Sequence, residues 1–375
     1  MLYLGIDQHA KQLTVSLRSE DGDVVHARQV STEPSRVREY LDSLKKLTPS
    51  GFLAIVEVCG FNDWLLKLLP EYGCVKAVLI QPEKKRRIKT DRRDAKELSE
   101  LLWTNRERIA KGLPVRGVRQ VVMPTLIDTE NQRLTLVRQQ ISRQHTKIVN
   151  QVRHILRRHN LQWSMPTKTF PSKKALLWLK TLELPSWDRH EMNWLLEELD
   201  RLPRRLDVLD AQIIERSEGN RAVELLRTIP GGGHFTALAI QCRIGDPKRF
   251  PRGRSLPNYF GLTPSVSDSG EGTGRRGHIT KAGNTVVRWL LSQMVLHVLR
   301  KDAEMKRWYK SIRARRGSKV ARVAVMRRLC TVIRNMLVDD KDYWTCRKEM
   351  IDRRQNQAAN QAINRNMSQK NKVVA

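Results

Sequence analysis

Phe52-Leu53-Ala54-Ile55-Val56-Glu57-Val58 is an almost unbroken apolar run that closes on a carboxylate. A run of this length and character reads as a strand covered on both faces, as parallel strands in α/β layers are. Leu2-Tyr3-Leu4-Gly5-Ile6-Asp7 upstream repeats the pattern, again ending on a carboxylate. Between the two, residues 13–18 alternate apolar and polar, Glu20-Asp21-Gly22-Asp23 supplies a turn, and residues 24–30 form a third strand. Residues 35–47 place Val37, Leu41 and Leu44 on one helical face. Downstream, residues 62–72 read as a helix, 75–80 as another buried strand and 95–111 as a helix. The order β-β-β-α-β-α-β-α predicts an α/β layered domain over residues 1–111.

A charge inside an apolar strand is costly unless it is paired or bound to a metal. Asp7 and Glu57 fall near the ends of two such strands, and Lys89-Thr90-Asp91-Arg92-Arg93-Asp94-Ala95 opens the helix after the last one. Three helical residues turn the chain by about 300°, so Asp91 and Asp94 share a face. Carboxylates that close repel unless a cation lies between them, and Mg²⁺ takes oxygen ligands of this kind. Alone, Asp91 and Asp94 read first as an N-cap and its capping-box partner. Four carboxylates at neighbouring strand and helix ends read as a metal site.

The chain of 375 residues carries a net charge of +31. Residues 1–110 hold 19 Lys and Arg against 16 Asp and Glu, while the remainder holds 51 against 23, a net of +28. Such a field favours a polyanion, usually nucleic acid. No apolar run approaches the ~18 residues of a spanning helix. The chain opens on a strand without a charged leader, and its five scattered cysteines include no CxxC pair. A soluble, intracellular protein without a membrane partner is therefore expected.

Gly5-Ile6-Asp7 followed by Lys11, Val56-Glu57-Val58-Cys59-Gly60, and Lys89-Thr90-Asp91-x-x-Asp94-Ala95 together resemble the RNase H-like (RuvC-like) N-terminal part of the DEDD insertion-sequence transposases. That family includes the Piv DNA invertase. The resemblance implies that Asp7, Glu57, Asp91 and Asp94 are the catalytic D, E, D and D that hold Mg²⁺.

Residues 112–220 change character. A long polar helix pattern over 125–159 carries Arg133, Arg138, Arg143, Lys147, Arg153, Arg157 and Arg158. Leu195, Leu199, Leu202, Leu206, Leu209 and Ile213 then alternate steps of four and three, an a/d seam that Pro203 is expected to kink or split. The seam fits an intramolecular hairpin and a coiled-coil arm for self-association equally well. The family resemblance implies a coiled-coil linker that assembles a homo-oligomer, a dimer or tetramer.

Residues 221–345 form the third block, expected to be mostly α. Leu225-Leu226-x-x-Ile229-Pro230-Gly231-Gly232-Gly233 before Ala237-Leu238-Ala239-Ile240 has the outline of helix, glycine turn, helix, either a phosphate-binding hairpin or a plain tight turn. Asn258-Tyr259-Phe260-Gly261-Leu262-Thr263-Pro264, Asp268-Ser269-Gly270 and Arg275-Arg276-Gly277-His278-Ile279-Thr280-Lys281-Ala282-Gly283-Asn284 resemble the C-terminal transposase domain of the same family. By position, Ser269 matches its catalytic serine. A nucleophile on a glycine-flanked loop with cations near it is chemically apt, but chemistry alone does not choose among Ser265, Ser267 and Ser269. Amphipathic helices are read over 287–299 and 320–337 with Arg313-Ala314-Arg315-Arg316-Gly317 between them, then a basic, Asn/Gln-rich, disordered tail over 346–375.

The resemblance implies a transposase that cuts and rejoins DNA through a phosphoserine link. A structured guide RNA from the element would direct it to donor and target DNA. Lys89, Arg92, Arg93, Arg275, Arg276, Lys281 and Arg288 are the candidate nucleic-acid contacts. A RuvC-like structure-selective nuclease needs the four carboxylates without Ser269. A non-catalytic RNA- or DNA-binding protein needs only the basic portion.

Overall fold

The computed structural model describes residues 1–81, 91–267, 275–353 and 355–356. The chain divides into two compact units, Met1–Met123 and Pro124–Ala375.

In the first unit the elements follow the order expected from sequence: β1 (Leu2–Gln8), β2 (Gln12–Arg18), β3 (Val24–Ser31), α1 (Pro34–Leu47), β4 (Phe52–Glu57), α2 (Asp63–Leu68), β5 (Cys74–Ile80) and α3 (Asp91–Thr104). Two features depart from expectation. The helix read over 95–111 is two, because Asn105 ends α3 before α4 (Arg106–Ala110). Asn105 turns its side chain on the backbone, Nδ2 donating to Leu101 O (2.9 Å) and Oδ1 accepting from Arg116 N (2.8 Å). The chain then adds a short strand β6 (Gln120–Val121), antiparallel to β5. The unit therefore ends near residue 123 and not at 111.

Among the described residues the sheet order is β3-β2-β1-β4-β5-β6, with β1 parallel to β4 and β4 parallel to β5. Side-chain alternation sorts its faces. Leu4, Ile6, Val15, Ala54 and Val56 pack with Val37, Leu41 and Leu44 of α1 and Leu65 of α2. Tyr3, Leu53, Ile55, Val78 and Ile80 pack with Leu98 and Leu102 of α3. Helices thus cover both faces, as the apolar runs require. This mixed sheet between helices is consistent with an RNase H-like core.

The second unit is mostly helical: α5 (Leu126–Arg158), α6 (Lys173–Thr181), α7 (Ser186–Glu215), α8 (Arg221–Arg227), α9 (His234–Ile244), α10 (Ser255–Tyr259), a hairpin of β7 (Pro264–Ser267) and β8 (Arg275–Ile279), α11 (Thr285–Lys301) and α12 (Ala303–Asp339). Helices α5 and α7 form a hairpin in which Ile148, Val152, Ile155 and Leu156 meet Met192, Leu195, Leu199 and Leu202. Much of the leucine seam is therefore spent within the chain. Pro203 does not split α7, which continues as helix through it.

The boundary expected at 220 is absent as a packing boundary. Ile213 of α7 belongs to the same core as α8, α9, α11 and α12, and Leu134 and Leu136 of α5 pack against it. Buried Arg243 on α9 fastens α5, Nη1 donating to Thr135 Oγ1 (2.9 Å) and Nη2 to Gln132 O (3.2 Å). Gln132 Nε2 in turn donates to Cys242 O (2.7 Å). The segment 313–317, expected between two helices, is itself helical until Gly317, where φ 79° and ψ 167° break α12 in two.

The expected disordered tail from 346 also needs correction, since residues 343–353 are helical. Tyr343, Cys346 and Arg347 are buried there. Tyr343 Oη donates to Asp302 Oδ2 (2.7 Å), Arg347 Nε donates to the same oxygen (2.9 Å), and Arg347 also pairs with Glu304. A buried charge pair sequesters this helix, which composition alone read as solvated. Among the described residues, no helix is long and apolar enough to cross a membrane.

The pair has a pH signature. Burial by itself would raise the Asp302 pKa, but Arg347, the Met305 amide and the Tyr343 hydroxyl outweigh it and hold the pKa below the usual carboxylate value. Its contribution to stability is present above that usual value and is lost as pH falls through the depressed one. Asp302→Ala is expected to destabilise the second unit by about 3 kcal/mol at neutral pH, because it removes one of the two carboxylates that pair with buried Arg347 and the acceptor of Tyr343. Urea unfolding at several pH values measures this, with the difference between variant and wild type shrinking in acid.

Candidate active site

The register from Leu2↔Phe52 to Ile6↔Val56 brings Asp7 and Glu57 side by side at its next step. Adjacent strands lie about 4.8 Å apart, and paired residues on parallel strands point to the same face. That face is the one α3 covers, since Asp7 continues the series Tyr3, Gly5 and Glu57 the series Leu53, Ile55.

Gly5 fixes where α3 sits. A Cβ there would lie 2.5 Å from both Ala95 O and Ser99 N, so the helix backbone rests directly on the strand. Ser16, paired with Gly5 across β1–β2, meets Ser99 Oγ–Oγ at 3.0 Å, both residues buried. Small side chains on all sides allow this approach. It also sets α3's first turn, containing Asp94, beyond Gly5 in the direction of Asp7.

Asp7 is 9 % exposed, and its Oδ2 lies 3.2 Å from His9 Nε2. Thr14, its register partner on β2, keeps Oγ1 buried with no hydrogen-bond partner among the described residues. Behind the carboxylates, Asn62 ties the two strand ends together, Nδ2 donating to Gln8 Oε1 (2.9 Å) and Glu57 O (2.9 Å) while Oδ1 accepts from Cys59 N (2.9 Å). Sequence reading missed His9, Thr14 and Asn62. The Asn directly preceding α2 was their only visible signal, and it read as a helix start.

Lys89 lies outside the described residues, as do the side chains of Asp91, Arg92 and Arg93. Among the described residues, no three of His, Cys, Asp and Glu gather into a metal-ligand group. The oxygen-only donor chemistry of Asp7, Glu57 and Asp94, with an unpartnered buried hydroxyl on the same face, suits a hard cation.

In the second unit the glycine-rich motifs prove to be fasteners. An added Cβ on Gly283 would come 2.3 Å from Tyr259 O, and one on Gly261 2.5 Å from Ala282 N. The segments around 258–264 and 279–284 therefore touch backbone to backbone, with Lys281 N donating to Gly261 O (3.0 Å) and Thr280 N to Thr263 O (2.9 Å). Arg288 Nη1 donates to Gly283 O (2.5 Å) and Phe260 O (3.2 Å), and partial burial lowers its pKa. Its guanidinium holds this junction together, a role distinct from the nucleic-acid contact expected of it. Asn284 caps α11 by accepting from Val286 N and Val287 N. Lys281 is exposed beside this junction with φ 54°.

These fasteners hold the β7–β8 hairpin, whose strands pair Ser267 with Arg275. Ser269 lies outside the described residues, as do the side chains of Ser267, Arg275 and Arg276. Ser265 Oγ is hydrogen-bonded to His278 O (3.1 Å) and stands where a Cβ on Gly277 would strike it. Its hydroxyl serves the hairpin. The helix, glycine turn, helix expected near 225–240 is present as α8 and α9, with Gly231 at φ 88°.

The first unit, a mixed sheet between helices with acidic strand ends, is consistent with an RNase H-like core, and the second unit is helical with a glycine-fastened hairpin. Comparison with known proteins goes further. Residues 223–310 match the family model described as "Transposase IS116/IS110/IS902 family". The chain is 24 % identical to the transposase for insertion sequence element IS1111A of Coxiella burnetii, covering 91 % of this chain and 90 % of the relative. It is 24 % identical to a probable family 20 transposase of Pseudomonas aeruginosa (85 % and 93 %) and 25 % identical to the transposase for IS1533 of Leptospira borgpetersenii (69 % and 74 %). Together these matches make the chain similar to insertion-sequence transposases along most of its length.

Gly5→Ala tests the packing that aims α3. Overpacking at a backbone–backbone contact is expected to cost about 1–3 kcal/mol. Hydrogen exchange of α3 amides reads it directly, with protection lost in α3 before α1.

Proposed function

We propose that this protein is the transposase of an insertion sequence, cutting and rejoining DNA with two groups of residues. The observation that carries the reading is the parallel β1–β4 register, whose continuation past Ile6↔Val56 would set Asp7 beside Glu57, on the face covered by a helix that begins with Asp91 and Asp94 and is seated on Gly5. The transposases similar to this chain along most of its length support DNA cleavage in general.

Asp7, Glu57, Asp91 and Asp94 would hold Mg²⁺, which would supply electrophilic activation of the scissile phosphate. Ser269 is the proposed nucleophile. Its Oγ forms a bond to phosphorus as the bond to one sugar oxygen breaks; the serine proton departs to a base and the released sugar oxygen gains one. The ester retains the bond energy, so attack by another sugar hydroxyl rejoins DNA and frees the serine. Lys89, Arg92, Arg93, Arg275, Arg276 and Lys281 would hold phosphates around the reacting strand.

Binding of a structured guide RNA is part of this proposal and is supported by the net charge of +31. Self-association to a dimer or tetramer through the α5–α7 arm is proposed as well. Trp163, Trp187 and Trp194 are 84 %, 78 % and 59 % exposed on or near that arm, an apolar display that suits a protein contact.

The test is denaturing electrophoresis of full-length protein with a labelled DNA substrate designed to trap the covalent stage, with its RNA and Mg²⁺ present. A covalent adduct is expected with wild type and with Ser265→Ala, and is expected to vanish with Ser269→Ala and with Asp91→Asn. Undiminished adduct from Ser269→Ala would overturn the nucleophile assignment. Cleavage that survives Asp7→Asn combined with Asp91→Asn would overturn the metal site. Binding should also weaken steeply with salt, each neutralised phosphate adding about 0.7–0.9 to the log–log slope.

A further inference from the structure

Between the β7–β8 hairpin and α12 lies a groove of about 530 Å³. Leu262, Ile279, Ile312, Val320, Val323 and Ala324 give it an apolar floor. Arg315, Arg316, Lys319 and Arg327 give it a cationic rim, and among the described residues no carboxylate lines it. The break at Gly317 falls within the rim, between Arg316 and Lys319. Its backbone angles belong to a region that only glycine occupies freely.

The rim cations differ from the other basic residues of α12. Arg328 pairs with Glu304 and lies 4.6 Å over the Trp308 ring. Arg334 donates to Phe250 O (2.9 Å) and Pro251 O (3.2 Å). Those two hold the fold. Arg316, Lys319 and Arg327 form no ion pair among the described residues, and Arg315 Nε donates only to Ser311 O of its own helix (3.3 Å). Beneath them Val320 remains 48 % exposed. Cations with no ion pair among the described residues, around an open apolar floor, suit a ligand that is anionic at its edges and flat and apolar at its centre.

We propose that this groove binds one unpaired DNA nucleotide, its base against the valine and isoleucine floor and its flanking phosphates on Arg315, Arg316, Lys319 and Arg327. Guanidinium planes at the rim can stack on the base while they neutralise phosphate. The choice of DNA over another polyanion rests on the proposed function, because the hairpin that walls the groove also carries the loop with Ser269.

The test uses full-length protein and a short oligothymidylate carrying one photoreactive 5-iododeoxyuridine, cross-linked by light and mapped by mass spectrometry. Adducts are expected within residues 277–279 and 312–327. Ala324→Trp fills the floor without altering charge and should weaken oligothymidylate binding about fivefold or more while sparing a duplex of the same length. Arg316→Gln with Lys319→Gln changes only exposed side chains and should lower the salt slope by about 1.4, two single-strand phosphates. Adducts confined to other segments, or an unchanged salt slope, would overturn the proposal. So would stronger cross-linking of the matching oligoribonucleotide, or an altered self-association of Ala324→Trp with undiminished oligothymidylate binding. The readout is binding and not cleavage, so the groove and the catalytic assignment stand or fall separately.

Discussion

The contact between β1 and α3 at Gly5 governs the first unit. Two backbones meet with no side chain between them, which is possible only because Gly5, Ser16, Ala95 and Ser99 are all small. A helix held by backbone contact has little freedom to rock, whereas one resting on long side chains can shift as they change rotamer. Carboxylates that share a cation must be held within tenths of an ångström of a common centre. This contact supplies such stiffness one turn away from Asp94.

The second unit solves a different problem, that of a large positive charge. Part of that charge is consumed in folding: Arg243, Arg288, Arg328, Arg334 and Arg347 all direct guanidinium donors at backbone carbonyls, hydroxyls or buried carboxylates. Composition counts these cations with the ones that face solvent, although each already donates to a partner inside the second unit. The cations available to a polyanion are a subset, and the Arg315–Arg327 stretch stands out within it. Guanidinium suits both tasks, since its five donors can satisfy a fixed protein partner or two phosphate oxygens.

Much of the first unit was legible in the sequence because its signals are local. Apolar runs of strand length, alternation at 13–18 and an acidic pair at a helix start each follow from one residue and its near neighbours. That Asp7 and Glu57 share a face follows from the parallel register, which no single stretch encodes. The roles of His9, Thr14 and Asn62 were hidden because they depend on which strand ends come together. In the second unit the motif glycines were legible as a pattern, but their purpose, two backbones in contact across some twenty residues, required the fold. The tail misled for the opposite reason: residues 343–353 are polar enough to look solvated, yet Arg347 and Tyr343 are buried by a partner 40 residues away at Asp302.

The fastening of α5 to α9 by Arg243 bears on how this chain can be divided or recombined. A fragment beginning at residue 221 would lack Leu134, Leu136 and Ile213 and would leave Arg243 without its acceptors on α5. It would present a raw apolar flank to water. A cut after Met123 severs neither. The arm is thus an inseparable part of the C-terminal body, and exchange of N-terminal units between related chains has its natural joint there, upstream of the arm.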